Sequence, residues 1–104
     1  MVDVFSTRIE KENAVQEFMS SGKRFLYIYG PPASGKSYCV RKWADGKRVM
    51  TIEDDPGRFE TIINNEINDA EIVFFHGWSY NPAVLRRYPG TTVLEFDIKE
   101  TIDE

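Results

Sequence analysis

The sequence predicts an α/β fold built on a parallel sheet, and three observations carry that expectation. Short apolar runs alternate along the chain with segments whose apolar residues recur at helical spacing. One of those runs, Glu71 to Phe75 (EIVFF), has the continuous apolar core of a strand buried on both faces. A glycine-rich turn from Gly30 to Gly35 separates another apolar run from a helix-like one, as in the right-handed βα unit of such sheets. Four strands are expected, at Phe25 to Tyr29, Arg48 to Ile52, Glu71 to Phe75 and Thr92 to Phe96, with helices on both faces in three layers.

Local signals place each element. Met1 to Ser6 reads as a short lead. Thr7 and Glu10 have the spacing of a capping box, and Ala14, Val15, Phe18 and Met19 then fall on one face of a helix that closes near Gly22. After the glycine-rich turn, Lys36 to Ala44 runs without a breaker until Asp45-Gly46. Asp55 followed by Pro56 starts a further helix, along which Phe59, Ile62, Ile63 and Ile67 recur at helical spacing. Asn81-Pro82 repeats that start for a short helix ending at Pro89-Gly90. Asp97 to Glu104 is an acidic tail.

At 104 residues the chain reads as one domain, 1–104, with room for a single core. A hydrophobic content of 41% and a charged content of 29% are those of a globular protein rather than a disordered one. The net charge of −4 argues against a sequence-independent grip on nucleic acid, although basic pairs such as Arg86-Arg87 are present. Cys39, the single cysteine, excludes an internal disulfide and fits an intracellular, cytoplasmic setting. Neither a membrane-spanning run nor a signal-peptide core is visible, so no membrane partner is expected.

The chemistry-bearing stretch is GPPASGKS, residues 30 to 37. Gly30, Gly35, Lys36 and Ser37 fill every fixed position of G-x-x-x-x-G-K-[ST], between a predicted strand and a predicted helix. Glycines let the backbone approach a polyphosphate closely, so that N–H groups and the helix N-terminus face the anion. On this reading Gly30, Pro31, Pro32, Ala33, Ser34, Gly35, Lys36, Ser37 and Tyr38 bind ATP, with Lys36 at the β/γ-phosphates and Ser37 on Mg²⁺. A Gly-Pro turn with no ligand is the competing account of the same residues.

The loop, the helix before it and the phrase SGKRFLYIYG resemble the start of AAA+ ATPases and of viral superfamily 3 helicases. EIVFFHGW, Glu71 to Trp78, resembles the Walker B strand of those helicases in its apolar run and its Gly77-Trp78. It departs from the pattern where two acids belong and Phe75 and His76 stand instead. The resemblance implies an ATP-binding core, a fourth strand inserted between the first and the third, and work as a homo-oligomer or within a larger replication or ATPase complex. The missing acids imply slow or absent hydrolysis.

Other polar residues fall at the carboxyl ends of the predicted strands, where ligands of parallel sheets bind. Asp54 and Asp97 are candidate magnesium ligands beside Ser37. His76 and Asp97 are the candidate catalytic groups, each set against a plain structural role. Trp43, Trp78 and Tyr80 are weighed as an adenine platform, with core packing the simpler account of the same aromatics. Three function classes compete: a nucleotide hydrolase, a nucleotide-binding regulatory subunit and a small-molecule kinase.

Overall fold

The computed structural model describes residues 2–53, 67, 69–102. Five parallel strands form one sheet in the order β1-β5-β2-β4-β3: β1 (Val4–Phe5), β2 (Phe25–Tyr29), β3 (Val49–Glu53), β4 (Ile72–Gly77) and β5 (Thr92–Phe96). Helices α1 (Arg8–Ser20) and α2 (Lys36–Trp43) cover one face, and α3 (Pro82–Arg87) lies on the other. No helix among the described residues is long and apolar enough to cross a membrane.

Alternation along β2 divides the core in two. Leu26 and Ile28 pack with Val15 and Phe18 of α1 and with Cys39 and Val40 of α2. Tyr27 points the other way, into a cluster with Val73, Phe75 and Val84. Ile72, Val73, Phe74 and Phe75 of β4 are all at most 3% exposed, as a strand covered on both faces requires.

The helix starts follow the capping rules. Glu10 N–H donates to the Thr7 hydroxyl at 3.1 Å while Thr7 N–H donates to the Glu10 carboxylate at 2.9 Å. Asn81 caps α3 by accepting from Ala83 N–H at 3.0 Å, with Pro82 in the first turn. Cys39 is fully buried in α2.

Two expectations need correction. Met1 to Ser6 is more than a lead, because Val4 and Phe5 pair with Glu95 and Phe96 and add a fifth strand at the sheet edge. Two apolar residues are too few to read as a strand until a partner is known. The fourth predicted strand, β5, does not lie between the first and the third. β4 pairs directly with β2, Phe25 opposite Val73 through Tyr29 opposite Gly77, and β5 occupies the other flank of β2. Apolar patterning fixes which faces of a strand are covered but leaves lateral order open, because β4 and β5 both satisfy it in either place. The helix expected from Pro56, apart from Ile67 near its end, lies outside the described residues, as do Asp54 and Asp55.

Candidate phosphate-binding site

The loop leaves β2 at Gly30, whose N–H donates to the Gly77 carbonyl at 2.9 Å and so extends the β2–β4 ladder by one bond. Gly30 has φ +155°, and a Cβ there would drive into the Phe96 carbonyl at the end of β5. Gly35 sits at the N-cap of α2 with φ +91° and no side-chain cap. A Cβ on it would press into Ile102, at 2.6 Å from Cδ1. Both motif glycines therefore have packing reasons independent of any ligand. Ala33 takes φ +64°, a left-handed conformation that costs a residue with a Cβ about 1 kcal/mol.

Lys36 and Ser37 carry the polar side chains of the motif. The Lys36 ammonium folds back over the loop and donates to the Gly30 carbonyl at 2.6 Å, the Pro31 carbonyl at 2.9 Å and the Ser34 hydroxyl at 3.3 Å. No carboxylate among the described residues pairs with it. Burial, aided by the charge of Lys11, pushes the Lys36 pKa down from its ordinary value. A cation held at a cost beside the uncapped N-terminus of α2 makes this end of the helix a place for negative charge.

Residues 32–37 and Ile102 enclose a hollow of about 320 Å³. A larger one, about 500 Å³, lies between α1 and β5 and includes Asp3, Glu10 and Glu17 in its lining. Those carboxylates repel phosphate, so charge favours the smaller hollow for an anion.

The remaining predicted site residues divide. His76 is the next-to-last residue of β4, opposite Ile28 and Glu53, on the α1/α2 face, with its ring stacked on Phe74 at 5.5 Å. Tyr38 lies beside the loop, but its ring stands between Arg8 and Lys42, with the guanidinium 5.1 Å and the ammonium 5.7 Å from its centre. The Asp97 carboxylate is engaged away from the loop. It accepts from the Ser6 hydroxyl at 2.7 Å and from Lys99 N–H at 3.0 Å, and these bonds hold its pKa below the ordinary value. Trp43 is removed from the loop altogether, at the far end of α2, where its indole N–H donates to Glu12 at 3.1 Å. Among the described residues no group of three or more His, Cys, Asp or Glu is gathered to hold a metal.

Sequence reasoning missed Lys11 and Ile102. Lys11 stands one turn before Val15, on the same helix face as Val15, Phe18 and Met19; it is fully buried, and its ammonium donates to the carbonyls of Asp97 at 2.8 Å and Glu100 at 2.7 Å. Ile102 stood in what read as an acidic tail and is 4% exposed. The one available signal was an isolated apolar residue within that tail.

No family model matches the chain, and no curated protein and no solved structure matches it.

Proposed function

We propose that this chain is a nucleotide-binding domain that holds ATP with Mg²⁺ at residues 30 to 38 and hydrolyses it slowly or not at all. The observation that carries the reading is Lys36: a half-buried ammonium bonded, among the described residues, only to its own loop, at the N-terminus of an uncapped helix. A polyphosphate would exchange those carbonyl contacts for charge-assisted ones and receive the N–H groups at the start of α2. The Ser37 hydroxyl is the side chain suited to magnesium, which would take its other ligands from phosphate oxygens and water. The bound metal would neutralise charge on the phosphates. Among the described residues no group of three or more His, Cys, Asp or Glu is gathered to hold the metal, and a partner subunit could supply an anchoring acid.

Direct pairing of β2 with β4 favours one further reading over the helicase-like one. The inserted strand of the AAA+ arrangement is lacking, whereas a third strand seated against the first is the order of small P-loop kinases. A phosphotransfer role therefore stands second, and the helicase resemblance reduces to the loop itself.

Titration calorimetry with ATP·Mg²⁺ tests the binding. The wild type is expected to bind, and Lys36→Ala to weaken affinity more than about tenfold, or roughly 1.4 kcal/mol. Absence of heat at millimolar nucleotide would refute the proposal. Phosphate release and transfer to a nucleoside panel then separate hydrolysis, regulation and kinase activity.

A further inference from the structure

The segment that follows β5 does not trail away. Asp97 N–H donates to the Phe5 carbonyl at 3.1 Å, Glu100 N–H to the Ser6 carbonyl at 3.3 Å, and the Glu100 carboxylate accepts from Arg8 N–H at 2.9 Å. Lys11 binds two of its carbonyls from beneath, with its ammonium 5.6 Å from the centre of the Phe96 ring. The segment then reaches the loop, where Ile102 N–H donates to the Ala33 carbonyl at 2.9 Å and the Ile102 side chain covers Gly35.

We propose that residues 97 to 102 are a strap that sets the phosphate loop in its binding shape, with Ile102 and Lys11 as positioning residues. This rests on the nucleotide-binding reading above. The strap bonds to a loop carbonyl, leaving the loop N–H groups to an anion, and Ile102 forms part of the wall of the hollow beside Gly35. Its contact falls on Ala33, the loop residue whose left-handed backbone is least favoured for its side chain. Lys11 accounts for its own burial in the same way. An ammonium with no exposure is retained because it satisfies two carbonyls at the turn that aims Ile102. Strap docking and polyphosphate binding consequently favour each other, and by reciprocity each stabilises the other.

The probe is inorganic triphosphate, which has neither base nor ribose, with ATP·Mg²⁺ in parallel. Ile102→Ser is expected to weaken triphosphate binding about tenfold and Ile102→Val to leave it within about twofold. Amide exchange in the free protein should quicken at residues 33 to 37 in Ile102→Ser. Ala33→Gly removes the strain the strap offsets, so adding it to Ile102→Ser should recover most of the lost affinity, which a general loss of packing would not allow. Lys11→Met, with a matching apolar stem, should quicken the same amides. If wild type and Ile102→Ser bind triphosphate equally and exchange equally, the strap is refuted while nucleotide binding stands. Tighter binding by Ile102→Ser would make the segment a plug and also overturn the proposal. Failure of the wild type to bind either ligand removes the function above it, whereas the exchange measurement on the free protein still decides the brace.

Discussion

His76 and Glu53 are register partners at the carboxyl edge of the sheet, and both lie on the face that carries α1 and α2. An imidazole therefore occupies the strand end next to β2, and the carboxylate stands one strand further out, roughly 10 Å from β2 at the usual strand spacing. The strand that carries the loop thus has the imidazole beside it and the carboxylate one strand beyond.

Hydrolysis is accordingly expected to be slow. Steady-state phosphate release by the purified protein should stay below about 1 s⁻¹, the low end of ordinary turnover. Glu53→Gln should lower whatever rate remains, because Glu53 is the carboxylate in register with His76 at the carboxyl edge of the sheet. Faster turnover that is indifferent to Glu53→Gln would show that some other acid does this work.

Affinity for polyphosphate should fall with alkali earlier than an exposed lysine would dictate. Burial and the neighbouring Lys11 lower the Lys36 pKa in the free protein, and a bound polyphosphate raises it. Binding strength is then complete below the free-state pKa and declines as pH rises through it. Titrations from neutral pH upward measure the decline. Lys36→Arg, which keeps its charge throughout, should flatten the profile even if its affinity is lower.

Glu12 joins the two helices of that face. Its carboxylate accepts from Lys42 at 2.5 Å and from Arg8 Nε and Trp43 Nε1 at 3.1 Å each, and these bonds, Lys42 first, hold its pKa below 4.5. A lowered carboxylate pKa contributes stability above the unfolded value and loses it as pH falls through the folded one. Glu12→Gln should therefore cost about 1 kcal/mol at pH 7 and almost nothing well below the folded pKa. Denaturant midpoints at the two pH values provide the comparison.

Tyr88 presents the opposite case. Its ring stacks on Phe25 at 5.4 Å and meets Phe75 at 5.1 Å, while its hydroxyl is buried with no hydrogen-bond partner among the described residues. Tyr88→Phe keeps the rings and removes the unsatisfied group, so it should stabilise the fold by about 1 kcal/mol. A lower melting temperature for the variant would show that the hydroxyl is satisfied in solution.

What the sequence made legible is what is local. The capping box at Thr7 and Glu10, the Asn81-Pro82 start, β2 and β5 to the residue, and the strand-loop-helix setting of Lys36 all follow from neighbours in the chain. Strand order did not follow, because β4 and β5 carry similar apolar patterns. Nor did β1, whose two residues become a strand only beside Glu95 and Phe96. Asp97 was a candidate metal ligand by position, yet Ser6, just past the edge strand β1, takes its carboxylate. Lys11 shows the same limit from the other direction, since spacing along α1 puts it on the buried face without revealing the carbonyls of Asp97 and Glu100 that its ammonium meets there.

The separation between Lys11 and the Glu100 carbonyl it binds is 89 residues. Helix α2 and its preceding turn are contiguous and can form early in folding, whereas this contact needs nearly the whole chain to be drawn together first. Closure entropy of that kind is recovered only after the β2–β5 and β1–β5 ladders are in place. A chain emerging during synthesis thus displays the complete motif well before it holds the loop from outside. After dilution from denaturant, helical signal should return first, and capture of polyphosphate should be among the last properties to reappear.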